Sequence, residues 1–155
     1  MFKIQNALFS FDTMHKGAPC SSFIAAVRDL AGRDDLPISV SWPLAQLIPA
    51  IDKASTAYHD ARNKLIAKHG TKGADGNVAV AVSPKIREAD GSIIDNPAYD
   101  AKKLAKFTAD LDALNGMSAD IAGRKITISI EALERAGCKL SASALMAIKP
   151  IAVIS

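Results

Sequence analysis

The apolar positions of this chain change period several times, and each change marks an element. Phe2, Ile4, Leu8 and Phe11 recur through the first twenty residues without a helical stripe, which predicts an extended arm or edge strand over 1–20. Phe23, Ile24, Val27 and Leu30 then share one helical face. Ser21 or Ser22 is placed to cap that helix and Gly32 to end it, so a short helix is expected through about residue 32. From Leu36 to Trp42 the pattern alternates, with Ile38, Val40 and Trp42 facing one way and Ser39 and Ser41 the other. A period of two predicts a half-buried strand over 36–42.

A helical stripe follows. Leu44, Leu47, Ile51, Ala54, Tyr58, Ala61 and Leu65 keep an unbroken 3-4 spacing, while Asp52, Lys53, His59, Asp60, Arg62 and Lys64 lie mostly off it. Pro43 suits a first helical position, and Gly70 follows Lys68 and His69 as a natural stop, so a long helix is expected over 43–69. Pro49 is expected to kink its first turns or to displace its start.

Beyond Gly70 the texture changes to glycine-punctuated, alternating valines. Val78, Val80 and Val82 precede an Asp90–Gly91 step flanked by Ile86 and by Ile93 and Ile94. This predicts one β-hairpin over 77–95, with a bulge or break at Ser83–Pro84. Asn96–Pro97 is read as the opening of a second helix over 98–116, whose stripe is Leu104, Phe107, Leu111 and Leu114. The two stripes can fold back as an antiparallel pair, and roughly a dozen large side chains would bury on the order of 20 kcal/mol gross. A strand over Ile126–Ile130, a short helix over 131–136, and a last turn capped by Ser141 or Ser143 complete the chain before Pro150. The fold class expected is α+β: a long antiparallel helical hairpin with a β-hairpin inserted at 70–97, plus a small sheet formed by N-terminal and C-terminal strands, all in one domain over 1–155.

Composition narrows the function more than the fold. Hydrophobic residues at 49% and charged ones at 23% fit a globular chain, and aromatics at 5% with many alanines favour close helix packing over a deep ligand pocket. The net charge of +3 is mild and dispersed, which argues against a nucleic-acid partner; Lys102, Lys103 and Lys106 read as a solvated helix face. No apolar run approaches about 18 residues, so no membrane span is expected. Cys20 and Cys138 stand far apart without metal-ligand spacing and read as buried, reduced thiols.

Catalytic patterns do not emerge. His15, His59 and His69 form no HExxH pair, the serines form no GxSxG elbow, and Gly70, Gly73 and Gly76 are not followed by the Lys-Ser or Lys-Thr of a phosphate loop. Asp34–Asp35 reads as a solvated turn. The expectation is a non-enzymatic protein with no catalytic, cofactor-binding or metal-binding residue and no cofactor. Trp42, the only tryptophan, lies on the alternating apolar face, which favours core packing, although tryptophan is also enriched at interfaces.

Several stretches resemble a family of small, functionally uncharacterised proteins of tailed bacteriophages. The likeness runs through Leu36-Pro37-Ile38-Ser39-Val40-Ser41-Trp42, then Tyr58, Ala61, Arg62, Leu65 and Lys68-His69-Gly70 on the long helix. It continues through the Gly- and Asp-rich insertion, the helix around Phe107, Ile126–Ile130 and the run from Leu140 to Pro150, covering about residues 36–150 as a pattern of hydrophobic positions. The resemblance implies phage or prophage origin and carries no catalytic residue with it. The function expected is that of a virion structural or accessory protein, associated with the head–tail connector, tail or capsid. It would act as a homo-oligomer on other phage structural proteins, in the virion or the cytoplasm of the infected host. An assembly chaperone is the closest rival, since helix–hairpin–helix order is similar to prefoldin subunits, and a small inhibitor of a host protein is a third reading. The residues expected at protein interfaces are Phe2, Phe11, Trp42, Val78, Val80, Val82, Ile93 and Ile94.

Overall fold

A computed structural model describes all residues, 1–155. The fold is α+β: helices and strands are both present, and the strands form small separate sheets of two. The single body expected over 1–155 is divided into two compact units, residues 1–58 with 117–155, and residues 59–116.

In the first unit the N-terminal residues, expected to form an extended arm or an edge strand, take the second course and begin with a strand. Strand β1 (Phe2–Gln5) leads into a 3-10 turn at Asn6–Phe9, and β2 (Thr13–His15) pairs with β3 (Ala18–Cys20). Lys16 and Gly17 both take positive φ, 49° and 81°, the conformation that lets a two-residue turn follow the twist of its strands. The arm is held because Ile4, Phe9 and Cys20 are buried, with the Phe9 ring 6.1 Å from Phe23 and 6.3 Å from Tyr58.

Helix α1 (Ser22–Ala31) follows the expected stripe. The buried Ser21 hydroxyl accepts from the Ile24 N–H at 2.9 Å, satisfying one of the donors that a helix start leaves open. Phe23, Ile24, Val27 and Leu30 are its buried face.

Helix α2 (Ile38–His69) begins five residues earlier than the sequence pattern indicated, and the strand expected over 36–42 is absent. Pro37 sits at its entrance, its carbonyl accepting from the Val40 and Ser41 N–H groups. Val40 therefore belongs to the helical stripe, one i+4 step before Leu44, and Val40, Leu44, Leu47, Ile51 and Tyr58 are all buried. Pro43 and Pro49 are interior residues of the helix, so the start is displaced away from them. Each interior proline costs roughly 3 kcal/mol. Burying four large apolar side chains around them, at roughly 1.5–3 kcal/mol each, outweighs that cost.

The remaining strands of this unit lie in two sheets where one was expected. Strand β8 (Ser118–Ile121) runs antiparallel to β1, with Phe2 opposite Ile121. The N-terminal strand thus pairs with one from the C-terminal segment, while β9 (Ile126–Ile128) runs parallel to β10 (Ala152–Ile154) in a separate two-stranded sheet, joined by α4 (Ile130–Arg135) and α5 (Ala142–Ile148). Ser129 and Ser141 cap these two helices through their hydroxyls. Gly123, at φ +112°, is required twice over: a Cβ there would also stand 2.9 Å from the Leu47 side chain.

In the second unit the single hairpin expected over 77–95 is two. Strands β4 (Thr71–Lys72) and β5 (Val78–Ala79) form the first, and β6 (Lys85–Arg87) and β7 (Ile93–Asp95) the second. Ser83–Pro84 is the break between them. Helix α3 (Ala101–Gly116) starts three residues later than expected, because Asp100 rather than Asn96 accepts from its first N–H groups, those of Lys102 and Lys103. Asn96 instead holds a turn by accepting from the Ala98 N–H. No residue of α3 is buried; Leu104, Phe107, Leu111 and Leu114 are half-buried, as are Ala61 and Leu65 of α2. The seam is real as a pattern, but it is not a closed core, and the burial expected of it is only partly made.

This division predicts unequal costs for the stripes of α2 and α3. Ile51→Ala is expected to cost about 2–5 kcal/mol in urea unfolding, as a truncation in a packed core does. Leu111→Ala is expected to cost clearly less; equal costs would place a closed core in both units.

Candidate interaction surface

The second hairpin of residues 59–116 is built by its turn. Gly91, at φ +88°, donates its N–H to the Glu88 carbonyl, and Asp90 Oδ1 accepts from the Ser92 N–H at 2.9 Å and the Ser92 hydroxyl at 2.7 Å. Those two bonds hold the Asp90 carboxyl below the usual carboxylate range. At the open end Asn96 donates its N–H to the Pro84 carbonyl and its side-chain amide to the Ser83 carbonyl. The register sets Ile86 opposite Ile94, Lys85 opposite Asp95 and Arg87 opposite Ile93. Side chains directly across a ladder share a face. Ile86 and Ile94 therefore make an apolar pair on one face, while Lys85 and Asp95 close an ion pair at 2.6 Å on the other.

The first hairpin uses the glycines that no phosphate loop accounts for. Gly73 donates to the Asn77 carbonyl, Gly76 takes φ +81°, and Asp75 accepts from the Asn77 N–H and side-chain amide. Gly70 is fixed by close approach: a Cβ there would lie 2.5 Å from the Ile66 carbonyl oxygen and 2.7 Å from Val78.

The predicted interface residues fall on both units. Val78, Val82, Ile93 and Ile94 are exposed on or beside the hairpins of residues 59–116, and Val80 is half-buried. Phe11 is exposed, and Phe2 is half-buried with the Lys125 ammonium 5.9 Å from its ring centre. Trp42 is 63% exposed, against the expectation of core packing, because the helical period turns it away from Val40 and Leu44. Ile38, one turn earlier and 76% exposed, completes an apolar pair with it on α2. The alternation over 36–42 hides this neighbour, because Ile38 joins Trp42 on an exposed face only when both are helical. Ile86 lies outside the expected set too, although counting back from Asp90–Gly91 places it opposite Ile94.

Within residues 59–116 the end of α2 is tied to α3 by charge. Asp110 of α3 accepts from the Lys68 ammonium at 2.8 Å and lies 2.8 Å from His69 Nε2, while the His69 ring meets Phe107 edge-on at 6.3 Å. The Lys68 ammonium first, and then the His69 ring, hold the Asp110 carboxyl below its ordinary range.

Elsewhere the chemistry is sparse. An open cleft of about 400 Å³ lies between α1 and α5, with Asp29 and Arg33 among its polar lining, and Arg33 is already engaged by Asp35 through two bonds at 2.6 and 2.8 Å. Both cysteines are buried, and burial pushes the Cys138 thiol up, which opposes a thiolate nucleophile at neutral pH. No group of three His, Cys, Asp or Glu side chains is arranged to hold a metal ion. No helix is long and apolar enough to cross a membrane.

Two outcomes follow from these groups. A carboxyl with a depressed folded value contributes stability above the ordinary carboxylate pKa, about 3.9, and loses it as pH falls through its own lower value. Amide resonances around Asp110 are therefore expected to show an acid-side transition only below that range, and Asp110→Asn to abolish it; a transition of unchanged size in the variant would assign it to another group. At neutral pH a thiol-specific disulfide reagent is expected to label the native chain far more slowly than the urea-unfolded chain. Rapid labelling of Cys138 in the folded protein would contradict its burial.

Compared with known proteins, the chain matches no family model, no curated protein and no solved structure.

Proposed function

We propose that this protein is a structural or accessory component of a tailed-phage particle, associated with the head–tail connector, tail or capsid, and that it works by protein–protein assembly without catalysis. The observation that carries the reading is the state of residues 59–116: none is buried, yet Val82, Ile93, Ile94 and Ile86 lie exposed on or beside short, open-edged hairpins. Ordering a residue costs roughly 1–2 kcal/mol of backbone entropy. An isolated two-stranded hairpin is marginal in water. A segment with this little burial gains most from a partner that covers it, and assembly supplies such partners. The resemblance of residues 36–150 to small tailed-phage proteins gives the setting, and other phage structural proteins are the partners it implies. The two helices joined by hairpins also fit an assembly chaperone that grips an unassembled virion protein.

Quantitative mass spectrometry of purified particles tests this. A fixed copy number per particle is the expected outcome. Absence from particles, with recovery bound to an unassembled virion protein in infected-cell lysate, would move the assignment to a chaperone. Recovery only on a host protein would overturn both in favour of an inhibitor.

A further inference from the structure

The second hairpin has two outer edges, and they differ in chemistry. Glu88 donates to the Ser92 carbonyl and Asn96 to the Pro84 carbonyl, so the hydrogen-bonded pairs are Glu88–Ser92, Ile86–Ile94 and Pro84–Asn96. The backbone groups of the residues between them therefore point outward: Lys85 and Arg87 on β6, and Ile93 and Asp95 on β7. Neither outer edge meets another strand.

We propose that β7 pairs antiparallel with β7 of a second copy of this chain, joining two hairpins into a four-stranded sheet across a two-fold axis at Ile94. This rests on the reading of the protein as an assembly component and names one of its partners as itself. The charge pattern selects the edge. Around Ile94, residue 93 lies opposite residue 95 of the other copy, so no like charges face each other. The same operation on β6 sets Lys85 opposite Arg87 twice, which is repulsive.

The register is selected as well. Centring the axis on Asp95 would oppose two carboxylates and run into Pro97, which has no N–H. Centring it on Ile93 would bring Gly91 into the ladder, and its φ of +88° is not extended. With the axis at Ile94 each outward-facing pair exchanges both of its hydrogen bonds. Ile86, Ile94 and their two copies then form one continuous apolar row, converting four partly exposed isoleucines into cross-strand neighbours. Strand β5 also carries an outward valine, but a strand of two residues offers too short a ladder. A self-complementary patch closing on a two-fold axis is the commonest form of homo-oligomer, and edge-strand addition is an established mode of recognition.

The test is sedimentation and light scattering of the full chain with matched proline variants. Ile93→Pro removes an outward donor on β7 and leaves the β6–β7 ladder intact; Arg87→Pro does the same on β6. The wild-type chain is expected to dimerise. Ile93→Pro is expected to weaken the dimer by about fivefold to a hundredfold, since one donor is lost on each side of the axis, while Arg87→Pro is expected to leave it unchanged. Ile94→Cys adds a readout independent of proline, because facing residues of a non-hydrogen-bonded pair lie about 4.5 Å apart at Cα, within disulfide reach. It is expected to give a covalent dimer under oxidation, and Ile86→Cys none. A monomeric wild-type chain into the millimolar range, a dimer indifferent to Ile93→Pro, or one lost instead in Arg87→Pro would each overturn the proposal. Those failures are separate from the particle measurement, which reports on incorporation whether or not the chain pairs with itself.

Discussion

Burial of the first half of the α2 stripe is the constraint from which the rest of the molecule follows. Val40, Leu44, Leu47 and Ile51 pass through a stretch holding two prolines, each removing a hydrogen-bond donor from the helix ladder. The helix survives there because those side chains, with Tyr58, lie in the same core as Phe9, Phe23, Ile121 and Ile126. Close packing also explains why Gly123 is a glycine: the Leu47 side chain occupies the space a Cβ would need.

The same helix then continues past Tyr58 without that support. From His59 onward its stripe is only half-buried, and α3 adds no buried side chain. What orders residues 59–116 is a set of local polar devices: the Asp100 cap, the Asp75 and Asp90 turns, and the Lys68–Asp110–His69 tie. Exposed bonds of this kind contribute little individually. Local opening free energies are drawn down where buried apolar area is scarce. The unit that carries exposed valine and isoleucine on its hairpins is thus also the one least committed to a core, a combination suited to adapting against a partner.

Much of this was legible in the sequence wherever one side chain sets one local geometry. Ser21 and Ser141 were readable as caps, and Asp90–Gly91 as a hairpin turn, because each satisfies or bends only its own backbone. The start of α2 was not, because Ile38, Val40 and Trp42 fit a period of two, while Val40 also extends the 3-4 stripe and Ile38 and Trp42 are themselves one helical turn apart. Five residues cannot separate those readings, and the deciding fact, that Val40 packs beside Leu44 in the core, is tertiary. Phe9 was missed for the same reason. Of the residues expected at interfaces, Ile93 and Ile94 are exposed on a hairpin whose turn the sequence marks, whereas the exposure of Trp42 depends on a helix the alternating pattern hides. Whether the α3 stripe was covered could not be read from its spacing, since half-burial depends on what stands opposite.

The distribution of charge along the strand edges adds a final step. Open edges invite pairing with other chains, and charged residues placed there are a common defence. The hydrogen-bonded register of β1 with β8 turns the backbone of Lys3 and Asp120 outward, so those edges carry charge. Strand β4 carries Lys72, and β6 presents Lys85 and Arg87. On β7 the outward positions are Ile93 and a single acid, Asp95, whose charge is already answered by Lys85 across the hairpin. Lysine and arginine thus guard the edge whose self-pairing would be repulsive in any case. The adjacent edge carries two consecutive isoleucines and no unanswered charge, the difference expected if one edge is closed to partners and the other is kept open for one.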